Sequence, residues 1–295
     1  MSHTSVFAFI EGKSIDPYFY GKLTDAVPDF NGFSRDIVRA TSLQESGGKG
    51  VLTDFYQFLL ARNSLMMCFQ GKITLALFFL DKDIDDVLNR RLFSEHVIYT
   101  EYYSVENYLF REGRLSEAIA AACSFEPERT QQAIGSQAIW LKSKASFWKD
   151  WLIYCVLSQK LGIVGQGNFS RNESPLNRPI DTLPDTETLA LHESKLISDS
   201  GLSDLLFQRK LAGTTRYVNS LYSRDLFDRI YKGRWYLPFV VKEAKRIADG
   251  KPYRASGVGE RVLSVLCTTL NFSDDWATNL REAVARVLAN FAIFI

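Results

Sequence analysis

Four acidic positions in this chain have the types and spacing to do chemistry. Glu11 ends the apolar run Phe7-Ala8-Phe9-Ile10 and precedes Gly12. Asp81 and Asp83 close a second run, Leu75-Ala76-Leu77-Phe78-Phe79-Leu80, with Lys82 between them. Glu106 follows a third, shorter stretch, Tyr103-Ser104-Val105. Gathered carboxylates repel one another unless a cation lies between them, and hard oxygen ligands favour Mg2+. Such a set implies a magnesium site and phosphoryl transfer. Each acid alone means little. Glu-Gly occurs in surface turns. Asp-x-Asp also serves haloacid-dehalogenase-type phosphatases and glycosyltransferases. Glu106 and Asn107 could simply open a helix, where the dipole favours an acid. The order carries the reading: an acid after the first strand, an Asp-x-Asp much later, and a further acid after the next strand.

These acids need strands to position them. Each apolar run has the length and composition of a buried parallel strand. In open α/β sheets, ligands bind beyond the carboxyl ends of the strands, so three neighbouring strands would place the acids on one rim. The sequence predicts strands at 6–10, 33–40, 73–80 and 97–100. It predicts helices at 16–26, with Pro17 suited to the first turn, at 51–61 and at 85–93. The glycine-rich stretch 46–50 reads as a flexible loop. Repeated strand–helix units imply an α/β fold with a parallel sheet. From 104 to 221 the character is helical, and Phe147, Trp148, Trp151, Leu152, Cys155, Val156 and Gln159 keep an amphipathic period. Residues 165–190, with Gly165, Gly167, Pro175, Pro179 and Pro184, read as a linker or surface loop. Three zones follow: a core over 1–115, a helical insertion over 116–221, and a basic helical segment over 222–295 that completes the core.

The net charge of the 295 residues is +1, which excludes a global basic field. Charge is nevertheless polarised: residues 208–261 hold thirteen Lys and Arg against five Asp and Glu. Such patches attract phosphate backbones, and aromatic residues such as Tyr217, Tyr231 and Trp235 interleave this one. The bland alternative is a solvated helix face. Three histidines make a multi-histidine zinc site improbable. The four cysteines form no Cys-x-x-Cys pair and read as buried, reduced thiols of a cytoplasmic protein. No signal peptide is visible, and no uncharged apolar run approaches the roughly 18 residues of a membrane helix. The apolar tail 287–295 reads as a helix end docked on the core or on a partner.

The constellation resembles the Toprim fold shared by topoisomerases, primases and OLD-type nucleases. Phe7 to Asp16 matches its glutamate motif, and Leu77-Phe78-Phe79-Leu80-Asp81-Lys82-Asp83 its Asp-x-Asp motif. Within that group the chain resembles a bacterial domain-of-unknown-function family that includes the Toprim effector of the PARIS anti-phage system. Tyr103-Ser104-Val105-Glu106-Asn107-Tyr108-Leu109 and Tyr231-Lys232-Gly233-Arg234-Trp235 carry that likeness. The resemblance covers roughly 5–110 and 225–245 and implies a Toprim core with a largely helical insertion and C-terminal helices. It implies a Mg2+-dependent endonuclease, with Mn2+ as substitute, acting on tRNA, other RNA or DNA. Glu11 would be general base or metal ligand. Asp81, Asp83 and Glu106 would complete the metal site, with Asp85 or Asp86 assisting. Lys232 or Arg234 would stabilise phosphate charge. Lys13, Lys242, Lys245 and Arg246 would extend the nucleic-acid contact. The implied partners are the nucleic acid, an ABC-type ATPase that controls a toxic effector, and a second copy in a homodimer. Two alternatives remain open: a haloacid-dehalogenase-like phosphatase with Asp81 as nucleophile, which leaves Glu11 unexplained, and a non-catalytic metal-binding partner of an ATPase.

Overall fold

The computed structural model describes residues 4–12, 14–28, 30, 33–70, 72–163, 186–249 and 256–292. Lys13, most of the 165–190 stretch, and the basic residues Lys251 and Arg254 lie outside them. The chain opens on β1 (Thr4–Ile10), then α1 (Asp16–Asp25), β2 (Phe33–Arg39), α2 (Ala40–Leu43) and α3 (Gly48–Ala61). Next come β3 (Met66–Phe69), β4 (Lys72–Leu80), α4 (Asp85–Leu88) and β5 (Val97–Tyr99). Helices follow: α5 (Val105–Glu112), α6 (Leu115–Cys123), α7 (Pro127–Ile134), α8 (Gln137–Phe147) and α9 (Lys149–Leu161). The chain continues with α10 (Thr186–Ser200), α11 (Asp204–Ser223), α12 (Leu237–Ala248), α13 (Val258–Thr269) and α14 (Thr278–Ala292). It divides into two compact units. A sheet unit comprises Met1–Lys82, Arg91–Val105 and Cys267–Ile295; a helical unit comprises Asp83–Arg90 and Glu106–Leu266. The sequence expects divisions near 115 and 222. Compactness divides the chain elsewhere, because residues 267–295 return to the sheet unit.

The sheet unit is α/β. Its strands run in the order β2-β1-β4-β3, and β5 also pairs with β4. β1 lies parallel to both β2 and β4, and β5 lies parallel to β4. β3 is antiparallel to β4, so the expected parallel sheet has one exception. The cause is the connection: only residues 70 and 71 separate the two strands, which is room for a hairpin and not for a crossover. Gln70 has a left-handed φ of 50°, and tight hairpin turns call for positive φ.

Both faces of β1 and β4 are covered, which is why these strands read as continuous apolar runs rather than alternating ones. On one face, Phe9, Phe78 and Leu80 join Leu52 and Tyr56 of α3 in an apolar cluster. On the other, Phe79 packs on Tyr20 of α1 with ring centroids 4.5 Å apart. Phe19 of α1 meets Phe272 at 5.0 Å. α14 packs against α1 and β5, and its Val287 and Leu288 are buried in this chain's own core. The helix predicted at 85–93 ends at Leu88, because Asn89 is left-handed at φ 54°.

In the helical unit, Trp148, Trp151, Leu152, Cys155 and Val156 are buried at the period read from the sequence. Leu157 of α9, Leu196 of α10 and Phe207 of α11 form a second apolar cluster.

Candidate functional site

The sheet unit brings two of the four acids together. β1 and β4 are adjacent and parallel, with Ile10 in register with Phe79, so the residues after them emerge side by side. Glu11 Oε1 accepts a hydrogen bond from the Asp81 backbone N–H at 2.8 Å. Asp81 Oδ1 accepts one from the Val105 N–H at 3.2 Å. The next backbone amide, Lys82 N–H, donates to Thr100 Oγ1 at 2.8 Å, and Thr100 Oγ1 donates to the Tyr102 carbonyl at 2.8 Å. The carboxyl ends of β1, β4 and β5 are thus tied by short polar contacts. A further contact shapes the turn after β1: the Gly12 N–H donates to Asp16 Oδ2 at 2.7 Å. A Cβ at Gly12 would stand 2.3 Å from Asp16 Oδ1, so the turn requires glycine or a displaced Asp16.

Two carboxylates are a hard-oxygen donor set, and Mg2+ is commonly held by one or two carboxylates plus waters and substrate phosphates. Glu11 and Asp81 therefore fit such an ion in kind. Among the described residues, no group of three or more His, Cys, Asp or Glu side chains stands ready to hold a metal. Asp83 opens the 83–90 segment of the helical unit with a left-handed φ of 49°, a conformation that costs a non-glycine residue on the order of 1–3 kcal/mol. Asp85 and Asp86 form the first turn of α4, where Asp86 Oδ1 accepts the Val87 N–H at 2.9 Å.

The helical unit brings together Glu106 and Arg234. Arg234 Nε donates to Glu106 Oε1 at 2.6 Å, with the Glu106 side chain 10% exposed and that of Arg234 50%. The helix that begins α5 supplies Glu106, as an acid in its first turn. Arg234 belongs to the short 3₁₀ turn Gly233–Tyr236, whose preceding residue is Lys232. Sequence reasoning missed what holds this pair. Asn107 Nδ2 donates to Asp228 Oδ1 at 3.1 Å and to the Tyr231 carbonyl at 2.9 Å. Asp228 also accepts from Arg111 Nη1 at 3.0 Å and from the Tyr236 hydroxyl at 3.1 Å. Burial pushes the Asp228 carboxyl above its ordinary range, while the bonds from Asn107, Arg111 and Tyr236 pull it back. Asn107 stood within a motif and Asp228 among apolar residues, but nothing local pairs them.

The basic zone is partly consumed by the fold. Arg246 Nε donates to Glu243 Oε2 at 2.7 Å and its Nη2 to the Ala133 carbonyl at 2.9 Å. Arg224 and Arg261 donate to backbone carbonyls of Ser220 and Ala122 at 3.0 and 3.2 Å. Lys242 and Lys245 lie on the exposed face of α12, opposite buried Phe239, Val240, Ala244 and Ile247. Lys245 and Arg246 occupy the last turn, where cations complement the helix dipole. No family model, curated protein or solved structure matches this chain.

Proposed function

We propose that this chain is a metal-dependent endonuclease that hydrolyses phosphodiester bonds in nucleic acid, with tRNA, other RNA and DNA as the substrates to compare. One observation carries the reading: Glu11 and Asp81, at the carboxyl ends of adjacent parallel strands, are joined through the Asp81 N–H at 2.8 Å. Packing does not require acids there, and ligands of open α/β sheets bind at that edge. Glu11 and Asp81 would hold Mg2+ or Mn2+, and Asp83 and Glu106 are the further acids assigned to that chemistry. A bound ion would polarise a phosphoryl oxygen and lower the pKa of a bound water. Glu11 is the residue assigned to accept the proton of an attacking water. Lys232 and Arg234 supply positive charge for the phosphate, and Lys242 and Lys245 add sequence-independent attraction. A toxic cytoplasmic effector of an anti-phage system, held by an ABC-type ATPase, is the biological setting this chemistry suits.

The test is cleavage of tRNA, other RNA and plasmid DNA by the purified chain. Glu11→Ala and Asp81→Ala should each lower cleavage by at least about 100-fold while the chain stays folded, with about 0.5–1.5 kcal/mol of stability lost for the hydrogen bond to the Asp81 or Val105 N–H. EDTA should abolish cleavage and Mg2+ or Mn2+ restore it. Full cleavage by a folded Glu11→Ala variant would sink the nuclease reading.

A further inference from the structure

Asp228 is only 1% exposed, and among the described residues its side-chain donors are Asn107, Arg111 and Tyr236 of the helical unit. Two of them, Asn107 and Arg111, lie on α5, the helix that carries Glu106 in its first turn. Asn107 Nδ2 reaches both Asp228 Oδ1 and the Tyr231 carbonyl, so one amide group ties α5 to the start and middle of the 228–236 segment. Gly233 closes the approach from the other side. A Cβ there would lie 2.7 Å from Asn107 N and 2.8 Å from Glu106 Cβ, both atoms with no freedom to withdraw. Arg234 follows immediately and places Nε 2.6 Å from Glu106 Oε1. Nε–H is one of five donors on a planar guanidinium, and fixing it sets the plane of the other four.

We propose that Asn107, Asp228 and Gly233 are positioning residues that lock Arg234 onto Glu106, so that its guanidinium meets a phosphate in one fixed orientation. The consequence for cleavage rests on the nuclease reading; the lock itself does not. Buried polar networks of this kind cost free energy unless every member is satisfied, and their return is a single arrangement. The arrangement here ends on a half-exposed arginine beside a buried acid, which packing alone does not require.

The experiment follows the Arg234 Nε–H resonance in the 15N-labelled full chain, assigned by its loss in Arg234→Lys. Wild type should show slow hydrogen exchange at this group. Asn107→Ala and Gly233→Ala should each accelerate that exchange by about tenfold or more, measured well below their melting temperatures. Lys242→Ala, on the exposed face of α12, should leave it within about twofold. With the best nucleic-acid substrate, Asn107→Ala should lower kcat by about tenfold to a hundredfold and leave KM nearly unchanged, as expected of a group that acts through orientation. Unchanged exchange in both Asn107→Ala and Gly233→Ala overturns the lock; faster exchange with unaltered kcat upholds the lock and overturns its role in orienting Arg234 toward a phosphate. If Asn107→Ala fails to fold, Gly233→Ala decides alone. If wild type cleaves nothing with Mg2+ or Mn2+, the nuclease reading falls while the exchange rates still score the lock.

Discussion

A carboxylate sealed from water pays for its charge, and Asp228 is the most deeply buried acid among the described residues. Burial raises its pKa in the folded chain. The folded state therefore holds the proton to a higher pH than the unfolded state does. Its contribution to stability is complete below the ordinary carboxylate pKa, about 4, and is lost as pH rises through the raised folded value. Asp228→Asn cannot titrate, so its stability relative to wild type should improve from about pH 4 until the raised folded value is passed, and then level off. Urea denaturation across that range checks this, and a gap independent of pH would contradict it. The thiols give a second residue-scale outcome. All four were expected to be buried, yet Cys68 is exposed on β3 while Cys155 and Cys267 are buried. Burial pushes the Cys267 thiol up to about 12, with Asp16 adding to the effect. A neutral-pH thiol reagent should modify Cys68 first in the native chain and reach Cys155 and Cys267 only on unfolding. Glu11 and Asp81 were legible because each acid directly ends an apolar run, although the backbone N–H groups they hold were not. Asn107 and Asp228 were not, because their partnership spans 121 residues and leaves no local pattern.

At the scale of elements, periodicity found β1, β2, β4, β5, α1 and α9 because each buries a face or a whole strand against neighbours. It missed β3, four residues whose pattern is one half-buried position followed by three exposed ones. Neither alternation nor a continuous apolar burial was there to read. It also misassigned part of the glycine-rich stretch. Gly48 and Gly50 belong to the first turn of α3, but Gly47 at φ 59° and Gly48 at φ 83° both take the positive φ that favours glycine, and Gly50 does not. Glycines in a row look alike in sequence, although their φ angles ask for different things. Gly47 and Gly50 should therefore respond oppositely. A Cβ at Gly50 meets nothing within 4 Å, so Gly50→Ala should stabilise the chain by about 0.5–1 kcal/mol through helix propensity. A Cβ at Gly47 would lie 2.7 Å from Thr41 Cγ2 and would carry the left-handed φ as well. Gly47→Ala should destabilise by about 1–2 kcal/mol. Midpoints of denaturant unfolding measure both, and equal shifts of one sign would refute the distinction.

The whole chain is woven between its units rather than cut into consecutive domains. The helical unit interrupts the sheet unit twice, and the chain comes back to it at Cys267. Reading zones along the sequence placed 222–295 in one basic segment, because charge marks 208–261 and nothing local marks the return. The return is recorded in tertiary contacts instead. Phe272 packs on Phe19 at 5.0 Å and Trp276 on Phe19 at 6.1 Å. Asn290 Nδ2 donates to Glu95 Oε2 at 2.7 Å, and Asn279 donates to Glu101. Leu280, Val284, Val287 and Leu288 of α14 are all buried, on the order of 1.5–3 kcal/mol each if exposed. Those four alone amount to a large share of a marginal stability of about 5–15 kcal/mol. A chain ending at residue 266 should therefore lose the sheet unit: its melting transition should vanish or fall by at least about 10 °C. Phe272→Ala, a milder version of the same loss, should cost about 3–5 kcal/mol. The truncated chain should also lose any metal-dependent cleavage, since Glu11 and Asp81 are held by that sheet. Melting and cleavage by the 1–266 chain indistinguishable from the full chain would show that residues 267–295 are an appendage, and that the sheet is complete without them.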